Sequence, residues 1–93
     1  MFRRIGPNEI ESDTGFRVKG STYSILYVEG DKGVTLDIER GVAPAPTFAV
    51  YLSSVKSWDP PHAHLVLDDD DKRRIAQNMS AAFAINGVTF DFA

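Results

Sequence analysis

Residues 23–39 read Tyr-Ser-Ile-Leu-Tyr-Val-Glu-Gly-Asp-Lys-Gly-Val-Thr-Leu-Asp-Ile-Glu. In the second half Val34, Leu36 and Ile38 alternate strictly with Thr35, Asp37 and Glu39, the period of a strand with one buried face and one wet, acidic face. The first half, Tyr23–Glu29, is rich in aromatic and β-branched residues that suit a pleated surface. Between them Gly30-Asp31-Lys32-Gly33 is a turn bounded by two glycines, so the two runs form a β-hairpin.

The same period extends to both sides. Upstream, Asn8–Ser12 is a short strand around Ile10, and Asp13-Thr14-Gly15 is a turn. Phe16 and Val18 then alternate with Arg17 and Lys19. Downstream, Arg40–Pro46 holds Gly41, Pro44 and Pro46 and is irregular. Phe48, Val50 and Leu52 make the next strand, and a bulge near Ser53-Ser54 would bring Val55 back inward. The prolines of Trp58-Asp59-Pro60-Pro61-His62 stop it, because neither donates to a ladder.

The period changes after Leu67. Ile75, Met79, Ala82 and Phe83 recur at helical spacing, with Asp68 as N-cap and Gly87 at the left-handed end. Val88–Phe92 is a closing strand. The expected class is α+β: a two-layer, mainly antiparallel meander of five to six strands, one long C-terminal helix on one face, and a final C-terminal strand. One helix covers only one face of such a sheet, so the other face stays partly open.

At 93 residues the chain is expected to form a single domain, residues 1–93. Without cysteine it has no disulfide, thiolate metal site or cysteine nucleophile, which fits a reducing compartment. Thirteen acidic against ten basic residues give a net charge of −3, which argues against general nucleic-acid binding. No run approaches the length of a membrane span. Met1–Ile5 starts like a signal peptide, but Gly6, Pro7, Asn8 and Glu9 occupy the place of its apolar stretch, so the chain reads as unexported.

Chemistry-bearing groups are sparse. Asp68–Asp71 fan out around a helix start and do not converge on an ion; they suit the macrodipole and offer i,i+4 pairs Asp68–Lys72, Asp69–Arg73 and Asp70–Arg74. His62 and His64 supply two imidazoles, too few for zinc, and read as a solvent-facing loop pair. Ser53, Ser54 and Ser57 lie near Asp59 and His62 without a nucleophile elbow, and no phosphate-binding loop exists. The residues therefore point to no enzyme, cofactor or metal.

Two features suit partner binding. Trp58 stands on a stiff corner, either plugging the sheet end or presenting an aromatic anchor, and a half-buried indole could do both. Charge is also uneven. Residues 29–39 carry Glu29, Asp31, Asp37 and Glu39 against Lys32 alone. This surface is an ordinary solvated face or a steering surface for a basic partner.

The run Val50–His62 with its Trp-Asp-Pro-Pro corner, the segment Asp71–Met79 with Arg73 or Arg74, Ile75 and Asn78, then Gly87 and the closing strand, resembles the immunity protein 74 family of bacterial polymorphic toxin systems. The resemblance covers about residues 48–92. It implies a small, cytoplasmic α-plus-β protein that neutralises a cognate protein toxin by stoichiometric binding. On that reading Trp58, Tyr51 and Asp59 are the anchor group, and Asp37 and Glu39 are steering charges. The rival expectation is a structural module that forms a homodimer through its sheet, since Leu26 and Val28 leave apolar residues on the second face of their strand. A hydrolase or metal site at Asp59, His62 and His64 is the third.

Overall fold

In the computed structural model, which describes residues 1–40, 47–53 and 55–93, seven strands form a sheet in chain order and one helix lies on one face. The strands are β1 (Phe2–Gly6), β2 (Glu9–Ser12), β3 (Phe16–Gly20), β4 (Ser24–Glu29), β5 (Lys32–Arg40), β6 (Thr47–Val50) and β7 (Thr89–Phe92). The helix α1 spans Asp69–Ala84. Every neighbouring pair is antiparallel except β6 and β7, which are parallel. The helix makes the crossover that a parallel pair requires.

The hairpin of residues 23–39 forms as its alternation demands, with Tyr27 opposite Val34 and Ile25 opposite Leu36. Its inward residues continue across the sheet: Ile10, Val18, Tyr27 and Val34 share one row, and all four are fully buried. Ile75, Met79, Ala82 and Phe83 of α1 close over this face. Fully burying a side chain such as Ile75 or Met79 contributes roughly 1.5–3 kcal/mol.

The strand count exceeds the expected five to six. β1 leaves little trace in the sequence because it is a margin strand: Phe2 is half-buried while Arg3, Arg4 and Ile5 are exposed. Asn8 belongs to the turn before β2, where it takes a positive φ of 59°, a conformation asparagine tolerates better than most residues. β6 stops at Val50, so Leu52 is buried without being a strand residue. The expected irregular segment lies outside the described residues from Gly41 onward, as does Ser54 of the expected bulge.

The helix starts as the sequence indicates. The Asp68 carboxylate accepts from the Asp71 N–H at 2.8 Å, and the Asp71 side chain accepts from the Asp68 N–H at 3.3 Å, a reciprocal capping box. Gly87 has the left-handed φ of 70° beyond the last turn. The i,i+4 ion pairs are replaced by others. Asp68 is engaged as the cap, Lys72 reaches across to the Ser53 carbonyl at 3.2 Å, and the ion pairs that form are Arg73–Asp70 and Arg74–Asp71 at i,i+3.

Candidate functional site

The uncovered face of the sheet is divided by charge. On β1–β3 opposite signs stand side by side: Arg3, Glu11 and Arg17 share one row, and Arg3 Nη2 lies 2.5 Å from Glu11 Oε1. Leu26 and Val28 on β4 form a half-buried apolar strip. Beyond it the sign becomes uniform. Thr35, Asp37 and Glu39 project from β5 and are exposed, and Glu39, Ala49 and Asp91 form one row across β5, β6 and β7.

Two neighbours join this acidic band. The N-terminal half of β5 is covered along its margin by the corner after Ser57, where the Asp59 N–H donates to the Gly33 carbonyl at 2.8 Å. Thr35 Oγ1 then donates to Asp59 Oδ2 at 2.8 Å, which holds that carboxylate beside β5. At the other end the Tyr51 hydroxyl donates to Glu39 Oε2 at 2.6 Å, and the Tyr51 N–H donates to the Asp37 carbonyl at 3.1 Å. The Glu39 carboxylate that accepts this bond pushes the Tyr51 phenol above its ordinary value. Among the described residues none of Asp37, Glu39, Asp59 and Asp91 is in an ion pair.

Asp37, Glu39, Tyr51 and Asp59, separated by up to 22 positions in sequence (59 − 37), thus share one surface. Trp58 does not. Its side chain is 2% exposed, set against the Tyr27 ring at a centroid distance of 6.5 Å with Lys32 Nζ 4.9 Å from the ring centre. The indole plugs the sheet end, so the reading of it as an exposed anchor is corrected. Indole is the largest apolar group available where β4 and β5 meet the corner, and burial is its most favourable use. At the corner Asp59 is half-buried next to the Trp58 plug, and Pro60 and Pro61 after it are exposed.

Next to the corner His62 Nε2 lies 3.6 Å from Asp31 Oδ2 of the β4–β5 turn, and the His62 N–H donates to the Asp59 carbonyl at 2.9 Å. The Pro60–Pro61 peptide is cis. His62 and His64 have ring centroids 6.3 Å apart, and among the described residues no group of three or more His, Cys, Asp or Glu is placed to hold a metal ion.

Sequence reasoning missed a polar clamp between sheet and helix. Arg74 donates to both oxygens of Glu29 at 2.9 Å and to Asp71 at 3.0 Å. The buried Tyr27 hydroxyl donates to Glu29 at 2.6 Å and accepts from Asn78 Nδ2 at 3.0 Å. Burial opposes ionisation of Glu29, but the bonds from Arg74 and Tyr27 outweigh it and hold the carboxyl below its ordinary range. Burial, with the Glu29 carboxylate beside it, pushes the Tyr27 phenol well up. The signal lay in the helix residues Arg74 and Asn78, four apart and thus on one face. Only the tertiary contact reveals that Glu29, counted with the acidic residues of the hairpin, is neutralised.

The helix side has a concavity of about 190 Å³ lined mainly by Ile25, Ile38, Phe48, Phe83, Val88 and Phe90, with no titratable group. It offers apolar contact and no chemistry. Among the described residues no helix is long and apolar enough to cross a membrane.

A family model, Immunity protein 74, matches residues 17–93. The chain belongs to that family. The match runs from β3 to the last residue and so includes the hairpin, the corner, the helix and β7, together with every residue of the acidic band. Comparison with curated proteins and with solved structures returned no match. Within this Immunity protein 74 chain, Arg74, Asn78 and Trp58 are engaged in holding the fold, whereas Asp37, Glu39 and Tyr51 are exposed and Asp59 is half-buried beside β5.

Proposed function

We propose that this chain is a bacterial immunity protein that binds a cognate toxin domain one to one in the cytoplasm and blocks it by occupying its active site or substrate path. It acts as one domain, residues 1–93, and as a binding module without chemistry of its own. The observation that carries the reading is the acidic band beside Tyr51, in which none of Asp37, Glu39 and Asp59 forms an ion pair among the described residues. Carboxylates clustered without a cation beside them draw in a basic surface and repel nucleic-acid phosphate. Tyr51, 38% exposed and tied to Glu39, supplies an aromatic contact already fixed in place.

The test is co-expression of the chain with the product of the neighbouring gene, followed by purification and measurement of stoichiometry and toxin activity. A tight one-to-one complex that is inactive, and that Asp37→Lys with Glu39→Lys weakens, supports the reading. A neighbour that neither binds nor loses activity refutes it. The second reading, a homodimer through the sheet, draws on the half-buried Leu26 and Val28 of the open face. Sedimentation at rising concentration separates the two, because only self-association makes the mass of the free protein increase.

A further inference from the structure

The two margins of the sheet are built differently. β1 carries Arg3 and Arg4, its register with β2 shifts between Arg4 and Gly6, and Pro7 follows. Cationic side chains, a bulge and a proline are devices that keep further strands from adding to an edge. β7 has none of them. Its four residues, Thr-Phe-Asp-Phe, pair with β6 in unbroken register from Thr47↔Thr89 to Val50↔Phe92, and among the described residues no strand lies beyond it.

The residue after β7 fixes which way the backbone groups point. The Ala93 N–H donates to the Val50 carbonyl at 2.8 Å, and the Ala93 carbonyl accepts from the Ser53 N–H at 2.8 Å, both on the β6 side. Successive residues of a strand direct their N–H and C=O to alternate sides. Phe90 and Phe92 therefore direct theirs away from β6. Val88 shares that direction, and its N–H is already bonded to the Phe83 carbonyl at 3.2 Å. On the helix side the Phe90 and Phe92 rings, 5.8 Å apart, are half-buried. On the open side Asp91 is exposed at the end of the row that begins with Glu39.

We propose that β7 accepts an added strand from a partner protein, an extended segment that places a Lys or Arg opposite Asp91 and apolar residues against Phe90 and Phe92. Main-chain bonds to Phe90 and Phe92 supply the attachment, and the alternation of apolar and cationic side chains supplies the selectivity. A second copy of this chain is the poorer occupant. Antiparallel self-pairing with matched faces sets the two Asp91 carboxylates opposite or diagonal to one another, within about 8 Å, in the same rows as Glu39. The inference rests on the reading of this chain as a partner-binding protein, but not on the partner's being a toxin.

The experiment is amide hydrogen exchange by NMR on the full chain, with the end-capped peptide TVKVKVT as probe and TVEVEVT as its acidic counterpart. With TVKVKVT at saturation the Phe90 and Phe92 amides slow by about tenfold or more, while β1 is unchanged. TVEVEVT protects neither, and Asp91→Lys reverses the preference between the two peptides. Failure of TVKVKVT to protect Phe90 and Phe92 overturns the proposal. Protection that grows with protein concentration in the absence of peptide overturns it in favour of a second copy. A positive peptide result with an indifferent neighbouring gene product removes the toxin reading and leaves the added strand standing; the opposite pair of results does the reverse.

Discussion

Trp58 and Glu29 show how far a side chain's surroundings redirect its chemistry. Trp58 is 2% exposed between Tyr27 and Lys32, so its removal acts first on stability. Trp58→Ala is expected to cost about 3–5 kcal/mol in urea unfolding. Glu29 is held below the ordinary glutamate range by Arg74 and Tyr27 after burial has opposed its charge. A carboxyl depressed in the folded state stabilises above its unfolded pKa, and that contribution is lost as pH falls through the folded value. Stability should therefore decline in acid below the usual glutamate range. Glu29→Gln should flatten that decline and cost about 1–2 kcal/mol at neutral pH, given the partial exposure of the pair, as chemical denaturation at several pH values would measure. Whether Glu29 faces the clamp or the solvent could not be read locally, since Arg74 lies 45 positions away.

Among the elements, α1 was the most legible and β1 the least. The helix has a repeating apolar stripe, a capping aspartate and a terminal glycine, each a local signal. Asp68→Ala removes the bond its carboxylate accepts from the Asp71 N–H and leaves the one that the residue-68 N–H donates to Asp71; it is expected to lower stability by about 0.5–2 kcal/mol, read as a shifted denaturation midpoint with unchanged slope. β1 shows one apolar residue on its inner side because a margin strand borders water along its length. The hairpin of β4 and β5 lies between these cases. Its pairing follows from alternation and a glycine-bounded turn, whereas the attachment of the Trp58–Asp59 corner to Gly33 is a contact between distant segments.

For the molecule as a whole, the open face combines a charge-balanced half on β1–β3 with an acidic half on β5–β7 that has no ion pair among the described residues. Such an arrangement governs the rate of encounter with a basic partner more than the strength of the final contact. Asp37→Lys combined with Glu39→Lys should slow association with that partner by about tenfold or more at low salt, and the difference should shrink as salt is added. The same pair should change folding stability by no more than about 0.5 kcal/mol, because both side chains are exposed. Lys19→Glu, on the balanced half, should leave the association rate near that of the parent. Stopped-flow association across a salt series distinguishes these outcomes.

Periodicity along the chain by itself determined the hairpin of residues 23–39, the helix with its capped start, the closing strand, and the acidic outward face of β5. These depend on neighbours within a few positions, and both burial and turn chemistry act over that range. The tertiary structure alone decided that Trp58 turns inward, that Glu29 is neutralised by Arg74, and that Asp91 joins Glu39 in one row through the parallel pairing of β6 and β7. Each of those outcomes needs two segments brought together from far apart, and local sequence carries no energy that distinguishes one distant partner from another.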